Sequence, residues 1–567
     1  MSSFRSYGKV DALDQVRLEA RRKTRRRIAI ISLSSVLLIG IIVAAVVGTR
    51  ASKDPGEHSK NVYGAIPALI KAACDVTLYK DSCYSNLINA TKDSSMTPKD
   101  VFKLSMRVAW NELSKASEYF SENGNDYTSV TTGNFSVAAW KNCKELLGLA
   151  LDHVNDSIYA IDSVDDLKTW LSSAGTYQQT CIDGFEEESE GKKTVTFHLK
   201  NSTELISNSL AIISWIAKIT KSVQMRRLMN NPEGENKPSW LKSRDHRMLI
   251  ESSDHLKRAA NVVVAKDGTG GYKTISAALK AVPDKSKKRF IIYVKKGNYT
   301  ENVRVEKPKQ NVMIIGDGMN QTIVSGSLNF VDGTPTFSTA TFAVFGKGFI
   351  ARDMGFRNTA GPQKHQAVAL MASADQVVFY QCQIDAFQDS LYTHSNRQFY
   401  RECDIYGTID FIFGNSAVVL QNCNILARKP MQGQKNTITA QGKVDPNQNT
   451  GISIQNCTIS PYGNLTGVNT FLGRPWKNYS TTVFMQSIMG NLIHPKGWLP
   501  WTGDSAPDTI FYAEYENFGP GASTKNRVKW KGLRKISAKQ AEKFTVKAFL
   551  QGKKWISDAG VRYKPGL

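Results

Sequence analysis

Five short segments share one pattern, and this pattern decides the fold of the C-terminal half. Residues 351–356 read ARDMGF, and related segments follow as YQCQI at 380–384, RECDI at 401–405, QNCNI at 421–425 and QNCTI at 455–459. The central residue recurs after 28, 21, 20 and 34 positions. Coils of 20 or more residues, each with a short β run and a Gly or Asn turn, are typical of a right-handed parallel β-helix. A β-propeller or sandwich is the alternative, disfavoured by the scarcity of hairpin signals such as Asn-Gly.

The repeat predicts which side chains stack on one another. Asp389 lies seven residues after Cys382, and Asp410 lies seven after Cys403, so the two aspartates share one register in successive coils. Neighbouring strands are about 4.8 Å apart, which would bring the two carboxyl groups close together on one face. Cys382 and Cys403 are expected to stack likewise, at a separation that a disulfide can span.

A stacked pair of carboxyl groups suits catalysis. Two adjacent carboxylates cannot both ionise cheaply, so one tends to keep a proton while the other stays charged. The pair then combines an acid with a nucleophile. Gln388 precedes Asp389 and Gln366 lies one coil earlier, and such amide donors are suited to stabilising the oxyanion of an acyl transfer. Arg474 is suited to hold the charged aspartate, and Trp476 to stack on a sugar ring.

Two other interpretations of these residues remain open. Aspartates in a β-helix often cap turns through hydrogen bonds to the backbone, which would make the pair structural. Ser390 and His394 would alternatively suggest a hydrolase triad, although no Gly-x-Ser-x-Gly elbow surrounds Ser390. His365, His394 and His494 lack metal-ligand spacing, and one cysteine per coil indicates packing or disulfides rather than a zinc site.

Residues 60–222 have the spacing of helices rather than strands. Apolar residues recur every three or four positions, as at Val101 and Leu104. Residues 97–100, TPKD, provide an N-cap, a proline at the first helical position and an acid near the helix start, and residues 163–166 provide a second capping box. We therefore predict an all-α four-helix bundle ahead of the all-β half.

The N-terminus carries a membrane-insertion signal. The first 27 residues are strongly basic, and an uncharged stretch at residues 28–49 follows. This stretch is longer than a signal-peptide core of roughly 7–15 residues and approaches the roughly 20 residues that span a bilayer. A signal anchor with a cytoplasmic N-terminus is therefore predicted, with a buried core helix as the alternative.

The chain beyond residue 50 is then expected in the secretory lumen, where disulfides and N-glycans form. Cys74, Cys83, Cys143 and Cys181 lie in the helical half, where two local bridges are plausible although the spacing leaves their pairing open. Sequons of the form Asn-x-Ser/Thr agree with this route and occur at Asn89, Asn134, Asn155, Asn201, Asn298, Asn320, Asn456, Asn464 and Asn478.

Residues 223–258 are polar and basic and indicate an exposed linker, because they include Asn230, Asn231, Pro232 and Gly234. Two basic motifs suggest proteolytic processing, with ordinary solvated charge as the alternative; they are Arg226-Arg227-Leu228-Met229 and Arg247-Met248-Leu249.

The chain has 73 Lys and Arg against 50 Asp and Glu, a formal charge of +23, which favours a polyanionic partner or an anionic surface. The secretory route disfavours nucleic acid as that partner.

At these residues the chain resembles the plant pectin methylesterases, which hydrolyse the methyl esters of galacturonate units in pectin. The family's sequence blocks occur in order: GNYTE at 297–301, QAVAL at 366–370, QDSL at 388–391, DFIFG at 410–414 and LGRPW at 472–476. One small departure is Ser390, where many members have Thr.

The resemblance implies a role for each matched residue. Asp410 would be the nucleophile and Asp389 the proton donor and then the base, with Gln366 and Gln388 as oxyanion donors. Contacts to methyl-esterified pectin would come from Gln366, Arg474, Trp476 and Thr336. It implies no metal ion and no cofactor.

The helical half resembles the pectin methylesterase inhibitor domain found as a pro-region in longer members. This implies disulfides Cys74–Cys83 and Cys143–Cys181, cleavage of the basic motifs by a subtilisin-like protease, and a pro-region that silences the enzyme in transit. The expected route is a membrane-anchored precursor in the Golgi, then the extracellular cell wall, with membrane contact only through the N-terminal segment. The expected domains are 1–27 (basic N-terminus), 28–49 (anchor), 60–222 (pro-domain), 223–258 (linker) and 259–567 (catalytic).

Two other functions are alternatives to pectin demethylation. A pectate lyase or polygalacturonase can use a similar β-helix, since fold does not determine chemistry. A wall-binding or inhibitor protein without catalysis is the other rival, which the presence of all the matched positions disfavours.

Overall fold

The computed structural model describes residues 68–91, 96–122, 134–159, 163–229, 253–556, 559 and 561–567. From Leu69 onward they belong to one compact unit. The predicted signal anchor at 28–49 and the second basic motif at 247–249 lie outside the described residues. Within the described ranges, no helix is both long and apolar enough to span a bilayer.

Helices dominate the described N-terminal part. Residues 68–74 are helical, and the later helices are α1 (Lys80–Ala90), α2 (Pro98–Glu122), α3 (Asn134–Tyr159), α4 (Val164–Asp183), α5 (Glu190–Met229), α6 (Ser253–Arg258), α7 (Ile275–Lys280), α8 (Ala538–Ala541) and α9 (Val546–Phe549). Short 3-10 helices occupy Thr336–Ser338, Pro362–Lys364, Glu542–Phe544 and Gly552–Lys554. Helix α2 packs on α5 and α3 packs on α4, around buried Phe102, Phe120 and Leu171. This is the predicted four-helix bundle.

The capping residues mark the starts of α2 and α4, as predicted. The Thr97 backbone N–H donates to Asp100 Oδ2 at 3.0 Å, and the Asp100 backbone N–H donates to Thr97 Oγ1 at 3.3 Å. Ser163 Oγ accepts from the Asp166 backbone N–H at 3.4 Å. Each bond satisfies an N–H group that has no partner within its own helix.

Helix α5 continues to Met229, beyond the expected domain end at residue 222. Residues 226–229, the first basic motif, therefore lie in a helix and not in the linker, so this part of the predicted boundary is wrong. The reason is local, because residues 221–229 contain neither Gly nor Pro and consist mostly of good helix formers. The first helix breaker is Pro232.

The bundle carries the two disulfides that the resemblance implies. Cys74 pairs with Cys83, which closes the turn ahead of α1. Cys143 on α3 pairs with Cys181 on α4 and joins the two helices.

The strands of the second half are short and parallel. They are β1 (Val262–Val264), β2 (Phe290–Val294), β3 (Gly297–Thr300), β4 (Val303–Val305), β5 (Val312–Ile315), β6 (Thr322–Gly326), β7 (Phe342–Val344), β8 (Ile350–Arg352), β9 (Gly355–Asn358), β10 (Leu370–Ala372), β11 (Val377–Tyr380), β12 (Gln383–Asp385), β13 (Leu391–Thr393), β14 (Arg397–Arg401), β15 (Asp404–Gly407), β16 (Ile412–Gly414), β17 (Ala417–Gln421), β18 (Asn424–Ala427), β19 (Asn436–Gln441), β20 (Gly451–Gln455), β21 (Thr458–Pro461), β22 (Thr470–Gly473), β23 (Thr481–Met485), β24 (Ile488–Met489), β25 (Phe511–Tyr515) and β26 (Leu533–Arg534).

Three parallel sheets run the length of this half. Sheet 1 has the order β1-β2-β5-β8-β11-β14-β17-β20-β23-β25-β26, sheet 2 the order β3-β6-β9-β12-β15-β18-β21-β24, and sheet 3 the order β4-β7-β10-β13-β16-β19-β22. The chain thus passes through sheets 1, 2 and 3 in turn, and each strand pairs with the equivalent strand of the preceding coil. This is the predicted right-handed parallel β-helix.

The recurrent pattern marks the turn from sheet 1 to sheet 2. The residue before each cysteine is left-handed, with φ of 52° at Gln381, 53° at Glu402, 56° at Asn422 and 53° at Asn456. The cysteine then points into the core, beside aromatic rings such as Phe379 and Tyr400, whose centroids are 4.9 Å apart. Each coil needs one residue that tolerates this backbone and one small apolar residue, which explains the repeat.

Cys382 and Cys403 are free thiols, and the prediction of a disulfide between them is wrong. They stack because Gln383 pairs with Asp404 in the next coil. Side chains of parallel strands in register point the same way, about 4.8 Å apart, whereas bonded cysteines need Cβ atoms about 3.8 Å apart. Each thiol contacts backbone carbonyls instead, and Cys382 Sγ lies 3.4 Å from the Tyr380 oxygen.

Candidate active site

The two aspartates stand at the turn from sheet 2 to sheet 3 in successive coils. Leu391 pairs with Ile412, so Asp389 and Asp410, each two residues earlier, lie side by side in the register that the repeat predicts. Both have left-handed backbones, with φ of 62° and 51°. Asp and Asn adopt this conformation more readily than most residues, so the turn and its side chains are matched.

Asp410 is held from two sides. Arg474, which follows β22, donates from Nε to Oδ1 at 2.9 Å and from Nη2 to Oδ2 at 2.6 Å. Thr437 on β19 donates from Oγ1 to Oδ1 at 2.6 Å and accepts from the Asp410 backbone N–H at 2.9 Å. These bonds orient the carboxylate and set a positive charge against it.

Asp389 has the opposite environment. Its side chain is almost fully buried, and burial together with the neighbouring charge of Asp410 raises its pKa well above the usual range, while Arg474 opposes this shift. Asp389 therefore retains a proton where an ordinary aspartate has lost it. The arrangement provides a proton-bearing acid beside a carboxylate that is paired with arginine.

Two glutamines border the same site. Gln366 and Gln388 form an isolated parallel bridge, in which the Ala367 backbone N–H donates to the Gln388 carbonyl at 3.3 Å. Both residues line the cavity that contains Asp389 and Asp410. Their amides are donors suited to an oxyanion formed in that cavity.

The cavity has a volume of about 290 Å³ and an aromatic wall. The seven residues predicted from the sequence all line it: Thr336, Gln366, Gln388, Asp389, Asp410, Arg474 and Trp476. Trp501 was not predicted, yet its ring lies 6.5 Å from that of Trp476 and 4.3 Å from the Arg474 guanidinium carbon. It sits in a loop outside the coil repeat, so no repeat signal could have found it.

Thr437 was also missed, although it occupies the same stack. Ile412 pairs with Thr439, which places Thr437 beside Asp410 as the third member after Asp389. The seven-residue spacing from the cysteine fails here, because Thr437 lies 14 residues after Cys423. An insertion before β19 hides the register from the sequence.

Ser390 and His394 do not form a hydrolase triad. Ser390 Oγ donates to the Phe387 carbonyl at 3.1 Å. His394 instead contacts Ser373 Oγ through Nδ1 at 3.0 Å and Thr180 Oγ1 through Nε2 at 2.8 Å. Burial lowers the pKa of His394 to about 3, which keeps it neutral. Across the described residues, no group of His, Cys, Asp or Glu has the arrangement of a metal site.

The helical bundle closes the cavity from above. Its contribution to the lining is Phe135, Ala139, Asn142, Leu146, Thr180, Asp183 and Gly184. Asn142 Oδ1 accepts from Ser338 Oγ at 2.8 Å, in the 3-10 helix that also carries Thr336. The Tyr177 hydroxyl donates to the Ser373 carbonyl at 2.9 Å. Helices α3 and α4 thus lie directly over the aspartates.

Ion pairs join the acidic face of the bundle to the basic β-helix. They are Glu145 with Arg304, Asp152 with Lys307, Asp166 with Arg397, and Asp183 with Lys477. Arg397 also binds Asp375, with 3% of each side chain exposed, so this contact is anchored in the β-helix core. The charges of the two domains are complementary across their interface.

Comparisons with known proteins agree with this geometry. Residues 261–553 match the family model described as pectinesterase, and residues 68–212 match the model described as plant invertase/pectin methylesterase inhibitor. The chain belongs to the pectinesterase family. Pectinesterases are carboxylic ester hydrolases, and this one carries an inhibitor-like domain ahead of its β-helix.

Some known pectinesterases are similar to this protein along its whole length, and others are similar to its second half. An Arabidopsis thaliana protein described as putative pectinesterase/pectinesterase inhibitor 24 is 55% identical over 99% of both chains. Another from the same plant, probable pectinesterase/pectinesterase inhibitor 46, is 57% identical over 97% of this chain and 98% of its own. The structure of pectin methylesterase from carrot is 53% identical, with a TM-score of 0.54, over 54% of this chain and 98% of its own.

Proposed function

We propose that this enzyme removes methyl esters from homogalacturonan in the plant cell wall, through an acyl-enzyme formed on Asp410, and that its helical domain is an autoinhibitory pro-region. The observation that carries the proposal is the environment of the two aspartates. Asp410 is charged and oriented by Arg474, while burial leaves Asp389 protonated. A nucleophile and an acid are thus in contact with one cavity.

In the first step, an oxygen of Asp410 attacks the ester carbonyl carbon. The resulting oxyanion is stabilised by the amides of Gln366 and Gln388. As the bond to the methoxy group breaks, Asp389 gives its proton to that group, and methanol leaves. The product is an anhydride between Asp410 and the galacturonyl group, with Asp389 now a carboxylate.

In the second step, Asp389 takes a proton from water, which attacks the galacturonyl carbon of the anhydride. Asp410 leaves as a carboxylate and Asp389 is protonated again. The galacturonic acid then ionises, so the net reaction consumes one ester and one water and yields methanol, a carboxylate and a proton. Trp476 and Thr336 at the cavity are proposed to contact the sugar chain.

Methanol release tests this proposal. A recognition site for a specific protease would be inserted within residues 230–252, and the folded precursor would be cut and assayed on highly methylated pectin. Asp410→Ala is expected to lower the rate by roughly 10³-fold or more. Asp404→Asn, on β15 just before Asp410, is the control and should stay within about twofold. Chain cleavage instead of methanol release would indicate a lyase or polygalacturonase.

The autoinhibitory role rests on the position of α3 and α4 over the cavity. Thr180 and Asp183 line the same cavity as Asp410, so the bundle occupies space that a polysaccharide would need in order to reach Asp410. We propose the pro-domain at 60–222, extended by α5 to Met229, and the catalytic domain at 259–567. We propose that a subtilisin-like protease cleaves the precursor at Arg226–Met229 or Arg247–Leu249. Before this cleavage, residues 28–49 hold the precursor in the Golgi membrane.

Precursor and cut protein should differ in activity. The intact chain is expected to release methanol far more slowly than the same protein after cutting and removal of the bundle. Equal specific activities would contradict autoinhibition while leaving the esterase chemistry untouched.

The basic charge of the chain suits a wall made of polyanions, so the released enzyme should bind pectate more weakly as salt is added.

A further inference from the structure

The ion pair between Asp183 and Lys477 has a feature that the other interface pairs lack, since Asp183 lines the active-site cavity and Lys477 lies next to Trp476, which lines it too. Asp183 lines the cavity with Asp389 and Asp410. Lys477 follows Trp476 directly, and its ammonium lies 5.2 Å from the centre of the Trp476 ring. Lys477 Nζ donates to Asp183 Oδ1 at 2.8 Å, and only 22% and 17% of the two side chains are exposed.

Asp183 occupies a position that helix energetics disfavour. It is the last residue of α4, followed by the C-cap Gly184, and a carboxylate at a helix C-terminus faces the negative end of the dipole. The carboxylate is held there by donors, Gln179 Nε2 at 2.9 Å and Lys477 Nζ. Gln179 belongs to α4 itself, whereas Lys477 provides a positive charge from across the interface that offsets the unfavourable dipole.

Lys477 has no comparable partner in the described part of its own domain. Among the described residues of the β-helix, no carboxylate lies within ion-pair distance of the Lys477 ammonium. Once the bundle leaves, this charge is left beside the ring proposed to stack on a sugar, with no counterion. A partly desolvated cation in a cleft attracts an anionic group of the bound ligand.

We propose that Lys477 is a subsite for the free carboxylate of a galacturonate unit next to the ester being hydrolysed, and that Asp183 takes the place of that carboxylate in the precursor. This inference rests on the proposed function, because it assumes that the cavity holds a galacturonan chain. Methyl esters are neutral, so Lys477 distinguishes units that have lost their methyl group from those that keep it. The enzyme then prefers esters beside an existing carboxylate.

The test uses precursor that has folded, been cut within residues 230–252 and been freed of the bundle. Lys477→Gln removes the charge, Lys477→Arg keeps it, and Lys525→Gln removes the same charge at an exposed position outside the cavity. Circular dichroism checks that each variant is folded. Binding of unesterified hexagalacturonate is measured by calorimetry, and kcat/KM is measured on fully and on half-esterified hexamers.

Lys477→Gln is expected to weaken binding of the unesterified hexamer about fivefold and to lower the ratio of kcat/KM for half-esterified over fully esterified hexamer by a similar factor. Lys477→Arg and Lys525→Gln should stay within about twofold. Unchanged binding, or equal losses at Lys477 and Lys525, would overturn the subsite. Lys477-dependent binding without methanol release from either hexamer would overturn the esterase proposal and leave the subsite standing.

Discussion

Asp389 and Asp410 are chemically identical side chains in different surroundings, and this difference supports the different roles proposed for them. Asp389 is buried and has no ion-pair partner among the described residues, whereas Asp410 receives a bidentate arginine and a threonine hydroxyl from later coils of the β-helix. Hydrogen bonds to a charged group typically contribute about 1.5–3 kcal/mol each. Loss of a single partner should therefore be visible in catalysis.

Thr437→Val is expected to lower kcat/KM for methanol release by roughly 10- to 100-fold, because it removes the hydroxyl that donates to Asp410 Oδ1 and accepts from the Asp410 backbone. Thr437→Ser keeps the hydroxyl and should recover most of the activity. Steady-state kinetics and thermal melting are measured together. If both variants lost activity equally, a hydrogen-bonding role would be excluded.

Arg474→Gln should move the pH profile upward. Arg474 lowers the pKa of Asp389, so removing its positive charge makes Asp389 release its proton at higher pH. The alkaline limb of kcat/KM, which reports loss of protonated Asp389, is then expected at higher pH, with lower activity throughout. Arg474→Lys retains a charge and should shift the limb less. A downward shift for the glutamine variant would contradict the assignment of the acid.

At the scale of elements, the coils explain which cysteines bond and which do not. Cys143 and Cys181 lie on antiparallel neighbouring helices that face one another, and they form a disulfide. Cys382, Cys403, Cys423 and Cys457 lie one per coil, each directly before one of the parallel in-register strands of sheet 2, and all four are free and buried. Strand direction, and not proximity alone, decides the outcome.

Alkylation counts these thiols directly. Protein unfolded in denaturant without reductant should take up four equivalents of iodoacetamide, and eight after reduction, as measured by intact mass. In the folded protein the four should react slowly, because all four are buried and the reagent has little access to them. Two equivalents in the unreduced protein would mean that a disulfide joins two coils.

At the scale of the whole molecule, the interface between bundle and β-helix contains a histidine kept neutral. His153 on α3 lies 3.3 Å from Asn396 Nδ2, and burial lowers its pKa to about 4. Charged groups that face it are Lys307, Lys347, Asp152 and Asp375. A histidine freed into water titrates near 6.5, so the docked state binds fewer protons than the separated state between these two values.

Acid should therefore loosen the pro-domain. Docking is fully favoured above about pH 6.5 and weakens as the pH falls toward 4, with the dissociation constant of the cut bundle rising roughly tenfold or more. Calorimetry at several pH values measures this. His153→Gln should flatten the dependence, whereas His494→Gln, outside the interface, should leave it intact. An unchanged slope in the His153 variant would assign the effect to the interfacial carboxylates.

The sequence by itself determined the β-helix, the helical bundle and the pairing of Asp389 with Asp410. This was possible because neighbours in a β-helix are one coil apart along the chain, so a short repeat carries their register, and because helix caps are local. Tertiary structure alone decided the rest. The role of Thr437 was missed because an insertion in its coil hides the register. The thiols of Cys382 and Cys403 were wrongly predicted to be bonded because their side chains point in parallel directions. The contact of Asp183 with Lys477 was missed because it joins residues 294 positions apart. Contacts between docked domains depend on complementary surfaces, which no local spacing encodes.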